Sequence, residues 1–210
     1  DAAAYAAAAK RLAAAINTAL YNESSGVYVD MRQTHLIMPL ATGVVPQAAE
    51  ARVTQNLETA IHGCGDPVLG CGHVDTGLTA TYFLIKHLTE TGRNDLIFTM
   101  ANQTTFPSYG FFLERGLTTW PEDWHVSTGD SLMHGCFNSI GLWPLEGIAG
   151  IKVDASNLEC PLTIRAGVDT GDVTWARGSR KTLQGQAQSS WAVGAHGFRH
   201  EVTVPANEVA

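Results

Sequence analysis

The chain has 210 residues, of which 45% are hydrophobic and 16% are charged. That charged fraction is below the roughly 25% of an ordinary soluble domain. The composition excludes a disordered chain, which needs low hydrophobicity and high charge. It also excludes a basic nucleic-acid-binding protein, because 13 Lys and Arg face 20 Asp and Glu, for a net charge of −7. No apolar run approaches the roughly 18 residues of a transmembrane helix, so no membrane span is predicted.

The charge is unevenly distributed along the chain. Residues 1–151 carry 14 acidic and 7 basic residues, whereas residues 152–210 carry 6 of each. The residue pattern changes at the same point, which predicts a domain boundary near Ile151. The first residues lack a basic segment before an apolar core, so they do not resemble a signal peptide. A start inside helix-forming sequence without Met predicts that the chain is cut from a longer one.

Helices are predicted throughout the first part of the chain. Eleven of the first 20 residues are Ala, the best helix former, which predicts a helix over residues 2–20. A turn is expected next, and apolar residues at helical spacing then predict further helices between capping or terminating residues. These are expected over residues 33–42, Pro46 to Gly63, 76–91, from Asn94, from Ser108, and over 131–150 with a kink at Pro144.

After Ile151 the period of the pattern changes. Short apolar runs between Gly-rich turns predict strands at residues 162–168, 172–176, 188–193 and 201–204. The sequence therefore predicts helices in sequential hairpins followed by a small β region.

The densest group of chemically capable residues lies in a predicted loop. Trp120, Glu122, Asp123, Trp124 and His125 fall within six positions. Loops held on a rigid scaffold are common places for binding and catalytic residues. Tryptophan beside carboxylates suits a sugar, because the ring face stacks on C–H groups while carboxylates accept from hydroxyls. Glycoside hydrolysis needs two carboxyl groups, about 6.5–9.5 Å apart for inversion, so a second carboxylate must come from elsewhere.

Several segments resemble the α-L-rhamnosidases of glycoside hydrolase family 78. TTWPEDW resembles the segment that carries the catalytic base of that family, and FPSYG is similar to its Y-P-S-W-G. SLMHGCFNSIGLW, QTHLIMPLATGVVP and GHVDTG resemble three further segments, and the tail from DVTWARGS onward resembles the β-sandwich that follows the family's helical barrel. The resemblance covers essentially the whole chain.

The resemblance implies a mainly α fold, in which residues 1–151 form the C-terminal half of an (α/α)6 six-hairpin toroid and residues 152–210 a small antiparallel β-sandwich region. It implies removal of terminal α-L-rhamnose with inversion, and Glu122 matches the general base that activates water. Positions implied to contact the sugar are Trp120, Trp124, Tyr109, His134 and Asp75. The partners implied are a rhamnose-containing glycan or glycoside and the N-terminal remainder of the same enzyme, with no nucleic acid and no membrane.

Departures from the family pattern concern the sugar pocket and the second carboxylate. Pro121 stands where the family usually has Trp, Asp123 where Arg is common, and Leu142 where Glu is usual. The acidic, Arg-containing motif that carries the family's general acid is not found here. The chain is therefore expected to lack one catalytic carboxylate and to be inactive as an isolated fragment.

Each site residue also has a structural interpretation. Glu122 could be a solvated loop carboxylate, and Trp120 and Trp124 could belong to the core. His134, at the start of a predicted helix, could be a buried, hydrogen-bonded histidine. Asp75, together with His73, could cap the helix that begins near Thr76, and Tyr109 could serve packing alone.

The cysteines allow several interpretations. Cys64 and Cys71 flank the turn-rich segment GDPVLG, which a disulfide could close. With His62 and His73 they resemble a metal cluster, but the pairs of a zinc ribbon are usually about two to four residues apart. A disulfide and free thiols both stay open, and no metal or other cofactor is predicted. The other two cysteines are expected to be buried and inert.

Two alternative functions stay open. A related toroid could be a lyase, or a hydrolase of another deoxysugar or uronic acid, and a lyase would yield an unsaturated, ultraviolet-absorbing product. A non-catalytic carbohydrate-binding remnant would keep the Trp residues but tolerate loss of Glu122.

Overall fold

The computed structural model describes residues 1–63, 71–157 and 159–210. The chain divides into two compact units, one formed by residues 1–87 and 99–137 and the other by residues 88–98 and 138–210. In the described ranges no helix is both long and apolar enough to cross a membrane.

The first unit is built mainly from helices. They are α1 (Ala2–Leu20), α2 (Gln33–Ala41), α3 (Gln47–His62), α4 (Leu78–Glu90), α5 (Asn94–Ala101) and α6 (Tyr109–Glu114), of which α4 and α5 extend into the second unit. A short antiparallel hairpin, β1 (Tyr21–Asn22) and β2 (Val27–Tyr28), follows α1 where the sequence predicts only a turn.

Apolar spacing explains the core of this unit. Val53, Leu57 and Ile61 lie four residues apart on α3, and all three are buried. They pack in a core to which α2 contributes Leu36 and Ile37. By contrast, no residue of α1 is buried, so its Ala-rich sequence forms a helix by intrinsic propensity without burying a face in this chain.

The N-cap residues of two helices differ in whether their side chains form a capping hydrogen bond. Ser108 accepts a hydrogen bond from the Phe111 N–H at 3.0 Å, which confirms it as the N-cap of α6. Asp1 lies at the N-cap position of α1 but forms no capping hydrogen bond through its side chain.

The predicted helix over residues 131–150 is wrong. Residues 131–134 form no helix, Gly135–Gly141 form a 3-10 helix, and Pro144–Ile148 form a single π turn. Glycines at both ends of the 3-10 segment lower helix propensity, and Pro144 cannot donate the backbone hydrogen bond that a continuous α-helix needs. His134 therefore precedes a 3-10 helix.

The second unit contains two small antiparallel sheets. One pairs β3 (Ile151–Val153) with β4 (Leu162–Ile164), and the other has the order β5 (Trp175–Lys181), β6 (Gln186–Gly194) and β7 (Gly197–Thr203). The strand predicted at residues 172–176 is displaced, because the ladder starts where Trp175 pairs with Ala192. The strand predicted at residues 201–204 instead begins at Gly197, directly after a tight turn that lets Gly194 and Gly197 pair.

Close packing fixes the first of these sheets. Ile151 and Leu162 are buried together with Ala187. Gly150 has φ +80°, and a Cβ there would lie 1.7 Å from the carbonyl oxygen of Arg165. Only glycine fits this position, both for its backbone angle and for the space.

Candidate active site

A looped segment after α6 brings two predicted site residues together. The N–H of Glu122 donates to the Ser131 carbonyl at 3.0 Å, and the N–H of His134 donates to the Trp120 carbonyl at 2.7 Å. The Thr119 hydroxyl adds a hydrogen bond to the carbonyl of Leu132. Residues 119–122 and 131–134 therefore run side by side, although the sequence separates them by a loop.

Glu122 and His134 face each other across this pairing. The Nδ1 atom of His134 lies 3.6 Å from Oε2 of Glu122, and about a third of each side chain is exposed, 35% and 36%. Nδ1 itself is buried and has no hydrogen-bond partner among the described residues. The 3.6 Å separation exceeds the length of a hydrogen bond.

Aromatic rings pack next to this pair. Trp124 stacks on Phe112 with ring centroids 5.0 Å apart and lies 4.3 Å from the ring of Phe137. Tyr109 meets Trp120 and Trp124 edge-to-face, at 5.2 and 5.4 Å. Such arrangements are the preferred geometry of aromatic pairs and fix the ring positions. The structure therefore brings together Tyr109, Trp120 and Trp124.

The members of this aromatic cluster differ in what they can present to a ligand. Trp124 is 7% exposed, and its indole N–H donates to the buried carbonyl of Thr76 at 2.8 Å. Tyr109 is 5% exposed, and its hydroxyl donates to the Phe137 carbonyl at 3.2 Å. Trp120 is only half-buried. The polar edges of Trp124 and Tyr109 are thus used inside the protein, while Trp120 keeps part of its surface accessible.

Asp75 binds the N-terminus of α2 through its side chain and its backbone. Its Oδ2 accepts from the N–H of Gln33, the first residue of α2, at 3.2 Å, and its own N–H donates to Oε1 of Gln33 at 3.0 Å. Gln33 also donates from Nε2 to the His73 carbonyl at 2.8 Å. The carboxylate therefore lies at the N-terminus of α2, where negative charge is stabilised. The helix next to it, α4, begins only at Leu78.

His73 is fully engaged inside the protein. Its Nδ1 lies 3.0 Å from the Cys71 carbonyl oxygen and its Nε2 lies 2.8 Å from the Thr105 hydroxyl. With both ring nitrogens paired and 8% of the residue exposed, His73 is a structural histidine.

Asp123 and His125 form a local turn on the exposed side of the loop. Oδ1 of Asp123 accepts from the N–H of His125 at 2.8 Å and lies 3.1 Å from Nδ1 of the same residue. The backbone N–H of His125 is the largest cause that lowers the pKa of the Asp123 carboxyl, burial opposes it, and the His125 ring adds to the lowering. Asp123 therefore anchors the loop locally as an ionised group.

The structure also bears on the cysteines. Cys71 is disulfide-bonded, whereas Cys64 lies outside the described residues. Cys136 and Cys160 are free thiols and are partly exposed, so the expectation that they are buried is wrong. Within the described ranges no group of three or more His, Cys, Asp or Glu residues is placed to hold a metal ion.

Three residues around the site were missed from the sequence. Gln33 joins His73 and Asp75, and Phe112 and Phe137 complete the aromatic cluster. The only signal for the first in the sequence is a Gln that begins a helix whose later residues are apolar. The two phenylalanines show only helical spacing in the sequence, which does not mark them as neighbours of the site.

Family models match both parts of the chain. The model of the bacterial α-L-rhamnosidase six-hairpin glycosidase domain matches residues 1–148, and that of the bacterial α-L-rhamnosidase C-terminal domain matches residues 162–210. The helical part of the chain is thus matched by a six-hairpin glycosidase domain and the β part by a separate C-terminal domain. The chain belongs to the bacterial α-L-rhamnosidase six-hairpin glycosidase family.

Individual relatives agree with the family match. An α-L-rhamnosidase of Streptomyces avermitilis is 30% identical over 220 residues, covering 100% of this chain and 20% of the relative. An α-L-rhamnosidase of Alteromonas sp. (strain LOR) is 30% identical over 217 residues, covering 99% of this chain and 23% of the relative. The chain thus spans about a fifth of the length of the curated relatives it matches.

Solved structures show the same fold. The crystal structure of Streptomyces avermitilis α-L-rhamnosidase complexed with L-rhamnose has a TM-score of 0.84 at 28% identity, covering 99% of this chain and 20% of that one. The α-L-rhamnosidase of Dictyoglumus thermophilum has a TM-score of 0.81 at 27% identity, covering 97% of this chain and 23% of that one. The predicted fold class, a mainly α six-hairpin domain followed by small antiparallel sheets, is confirmed.

Proposed function

We propose that this chain carries the general-base part of an inverting α-L-rhamnosidase, with Glu122 as the base. The observation that carries the proposal is the placement of Glu122. It is a partly exposed carboxylate on a loop held by two backbone hydrogen bonds, and it contacts His134 beside a rigid aromatic cluster. Loops supported in this way hold catalytic groups in place at little entropic cost during the reaction.

The chemistry follows from the roles of two carboxyl groups. Glu122 would take a proton from a water molecule as the water oxygen bonds to the anomeric carbon. The bond from that carbon to the leaving oxygen breaks, and a carboxylic acid on the opposite side protonates the oxygen. In this proposal the acid belongs to the N-terminal remainder of the enzyme, about 6.5–9.5 Å from Glu122 as inversion requires.

The surrounding residues divide into two roles. Trp120 keeps accessible ring surface for the C–H face of a sugar, and His134 keeps Nε2 for a hydroxyl. Trp124, Tyr109 and Asp75 have their polar groups engaged in the protein. We assign these three to shaping the pocket wall, with any sugar contact made through the ring faces of Trp124 and Tyr109.

The N-terminal remainder of the enzyme is proposed as the partner that completes the site. No residue of α1 is buried, and α1 and α2 line an apolar groove of about 620 Å³. Leu12, Ile16 and Met38 are among its lining residues. Preceding helices of the same toroid would cover this groove. On this proposal residues 1–151 belong to the catalytic barrel and residues 152–210 to the β-sandwich region.

The proposed substrate class is inferred from a similar solved structure. The Streptomyces avermitilis structure is described as a complex with L-rhamnose, which supports a rhamnose-containing glycan or glycoside as the substrate. No nucleic acid, membrane or cofactor enters the proposal.

The test compares variants of the intact polypeptide that contains these residues, with an aryl α-L-rhamnoside as substrate. Glu122→Gln should lower kcat by about 10²–10⁴-fold, the usual contribution of a general base. Glu114→Gln, at an exposed carboxylate at the end of α6, is the matched control and should retain turnover.

Near-native turnover by Glu122→Gln would contradict the assignment of the base. An unsaturated, ultraviolet-absorbing product would indicate a lyase instead. Sugar binding without turnover in the unmodified protein would indicate a carbohydrate-binding module. The isolated 210 residues should show no measurable hydrolysis, and appreciable turnover by them would contradict the proposed role of the N-terminal remainder.

A further inference from the structure

His134 contains a buried polar atom that the proposed roles do not use. Nδ1 has no hydrogen-bond partner in the described part of the chain, although unsatisfied buried nitrogens are rare and each calls for an explanation. The Oε2 atom of the Glu122 carboxylate lies 3.6 Å from it.

The backbone keeps the two groups opposite each other. The N–H of His134 is tied to the Trp120 carbonyl, and the N–H of Glu122 is tied to the Ser131 carbonyl. A shift of less than 1 Å in either side chain would bring Nδ1 within hydrogen-bond distance of Oε2. Catalytic hydrogen bonds are often long in unliganded enzymes and shorten when substrate binds.

We propose that His134 is a positioning residue for Glu122: the neutral imidazole carries its proton on Nδ1 and donates it to Oε2 in the substrate complex. This inference rests on the proposed function of Glu122. With Oε2 held by the ring, Oε1 faces the water molecule that is to be deprotonated. A histidine with its proton on Nδ1 has a lone pair on Nε2, so the same ring accepts a hydrogen bond from a sugar hydroxyl.

This arrangement couples substrate recognition to orientation of the base. A hydroxyl that donates to Nε2 favours the tautomer with the proton on Nδ1, and that tautomer orients Glu122. A sugar without a hydroxyl at this point would lose one contact and also leave the carboxylate less well oriented, so the effect would appear in kcat as well as in KM.

The first test reads the tautomer directly. Nitrogen-15 NMR of the histidine rings is recorded for the intact polypeptide at a pH where His134 is neutral, with saturating L-rhamnose. The proposal predicts a pyrrole-like signal at Nδ1 of His134 and a pyridine-like signal at Nε2. His125, whose Nδ1 lies 3.1 Å from a carboxylate oxygen of Asp123, is an internal reference. The Glu122→Ala variant should lose this preference, and a proton on Nε2 in the rhamnose-bound wild type would contradict the proposal.

The second test uses two amides that resemble different edges of the ring. In His134→Asn the side-chain nitrogen approximates Nδ1, and in His134→Gln it approximates Nε2. We expect His134→Asn to retain kcat within about tenfold while KM rises, because the base stays oriented. His134→Gln should lose kcat by on the order of 10²-fold, the effect of misplacing a catalytic group by about 1 Å.

The opposite pattern, or equal loss of kcat in both variants, would contradict the positioning role. A purely structural role would change the unfolding midpoint without this split between kcat and KM. The two proposals fail separately. If Glu122→Gln retains turnover, Glu122 is not the base, whichever ring nitrogen of His134 carries the proton. If Glu122→Gln is inactive but the His134 proton lies on Nε2, Glu122 remains the proposed base and only the positioning role of His134 is contradicted.

Discussion

The backbone N–H of His134 donates to the carbonyl of Trp120 at 2.7 Å, so two segments separated by a loop meet at the candidate site. The same pairing places the His134 ring against the carboxylate of Glu122. An ordinary backbone hydrogen bond thus accounts for the proximity of the two groups on which the proposed chemistry depends.

Trp124 should matter for stability through its indole N–H. Trp124→Phe keeps a ring in the aromatic cluster but removes the indole donor to the buried Thr76 carbonyl, which still accepts from the Thr81 hydroxyl at 3.0 Å. The loss of this one hydrogen bond should lower the free energy of unfolding by about 0.5–1.5 kcal/mol. Urea unfolding measures this loss. Trp120→Phe, at a half-buried ring, is the control and should cost less. A smaller effect at Trp124 than at Trp120 would show that the indole hydrogen bond contributes little.

Gln33 should be required for the segment that carries Asp75. Gln33→Ala removes the hydrogen bond that Gln33 accepts from the Asp75 N–H and the one that it donates to the buried His73 carbonyl. Leaving that buried carbonyl unpaired should lower the unfolding free energy by about 1–3 kcal/mol, and the loss of the partly buried bond at Asp75 should add to it. Thermal and urea unfolding report the change. Gln47→Ala, at an exposed position on α3, should be nearly neutral. Equal stability of the two variants would contradict the bridging role.

Asp123 should remain ionised to lower pH than an ordinary aspartate. Because its pKa is lowered in the folded protein, it stabilises the fold at pH values above the unfolded-state pKa, and that contribution is lost as pH falls through the folded-state pKa. Carbon-13 NMR titration of the carboxyl group measures the midpoint. His125→Ala keeps the backbone N–H, the largest cause of the shift, so most of the lowering should survive. A return to the ordinary value in that variant would assign the shift to the imidazole ring.

The ion pair between Arg180 and Glu146 should stabilise the second unit. Arg180 Nη1 lies 2.7 Å from Oε1 of Glu146, whose side chain is only 12% exposed. Arg180→Met leaves that carboxylate unpaired and should cost about 1.5–3 kcal/mol, as for a hydrogen bond to a charged group. Arg177→Met, at an exposed position of the same strand, is the matched control for urea unfolding. A loss at Arg177 as large as that at Arg180 would contradict the assignment.

Local pattern was enough to predict α3. Val53, Leu57 and Ile61 repeat at helical spacing between Pro46 and Gly63, and the helix runs from Gln47 to His62. The same reasoning failed for residues 131–150, where apolar spacing suggested a helix but glycines and Pro144 interrupt the hydrogen-bond ladder. The spacing of apolar residues alone does not show whether glycine and proline residues will interrupt a helix.

Hydrogen bonds between residues far apart in the sequence are the part of the site that could not be predicted. The sequence singled out Glu122, His134 and the aromatic residues, but the partner of Asp75 lies 42 residues away on another helix. The sequence also gave no sign that the indole N–H of Trp124 is taken up by Thr76, 48 residues away. A polar edge used inside the protein and one left for a ligand look identical in a sequence, because only the fold decides which acceptor is near.

The most direct test of the central claim is azide rescue of Glu122→Ala in the intact polypeptide. With an aryl α-L-rhamnoside, azide can enter the space of the lost carboxylate and attack the anomeric carbon while the upstream acid protonates the leaving oxygen. The account predicts that turnover returns with azide and that the product, identified by proton NMR, is β-L-rhamnosyl azide. An α-L-rhamnosyl azide, or a Glu122→Ala variant that hydrolyses the substrate at the native rate without azide, would contradict it.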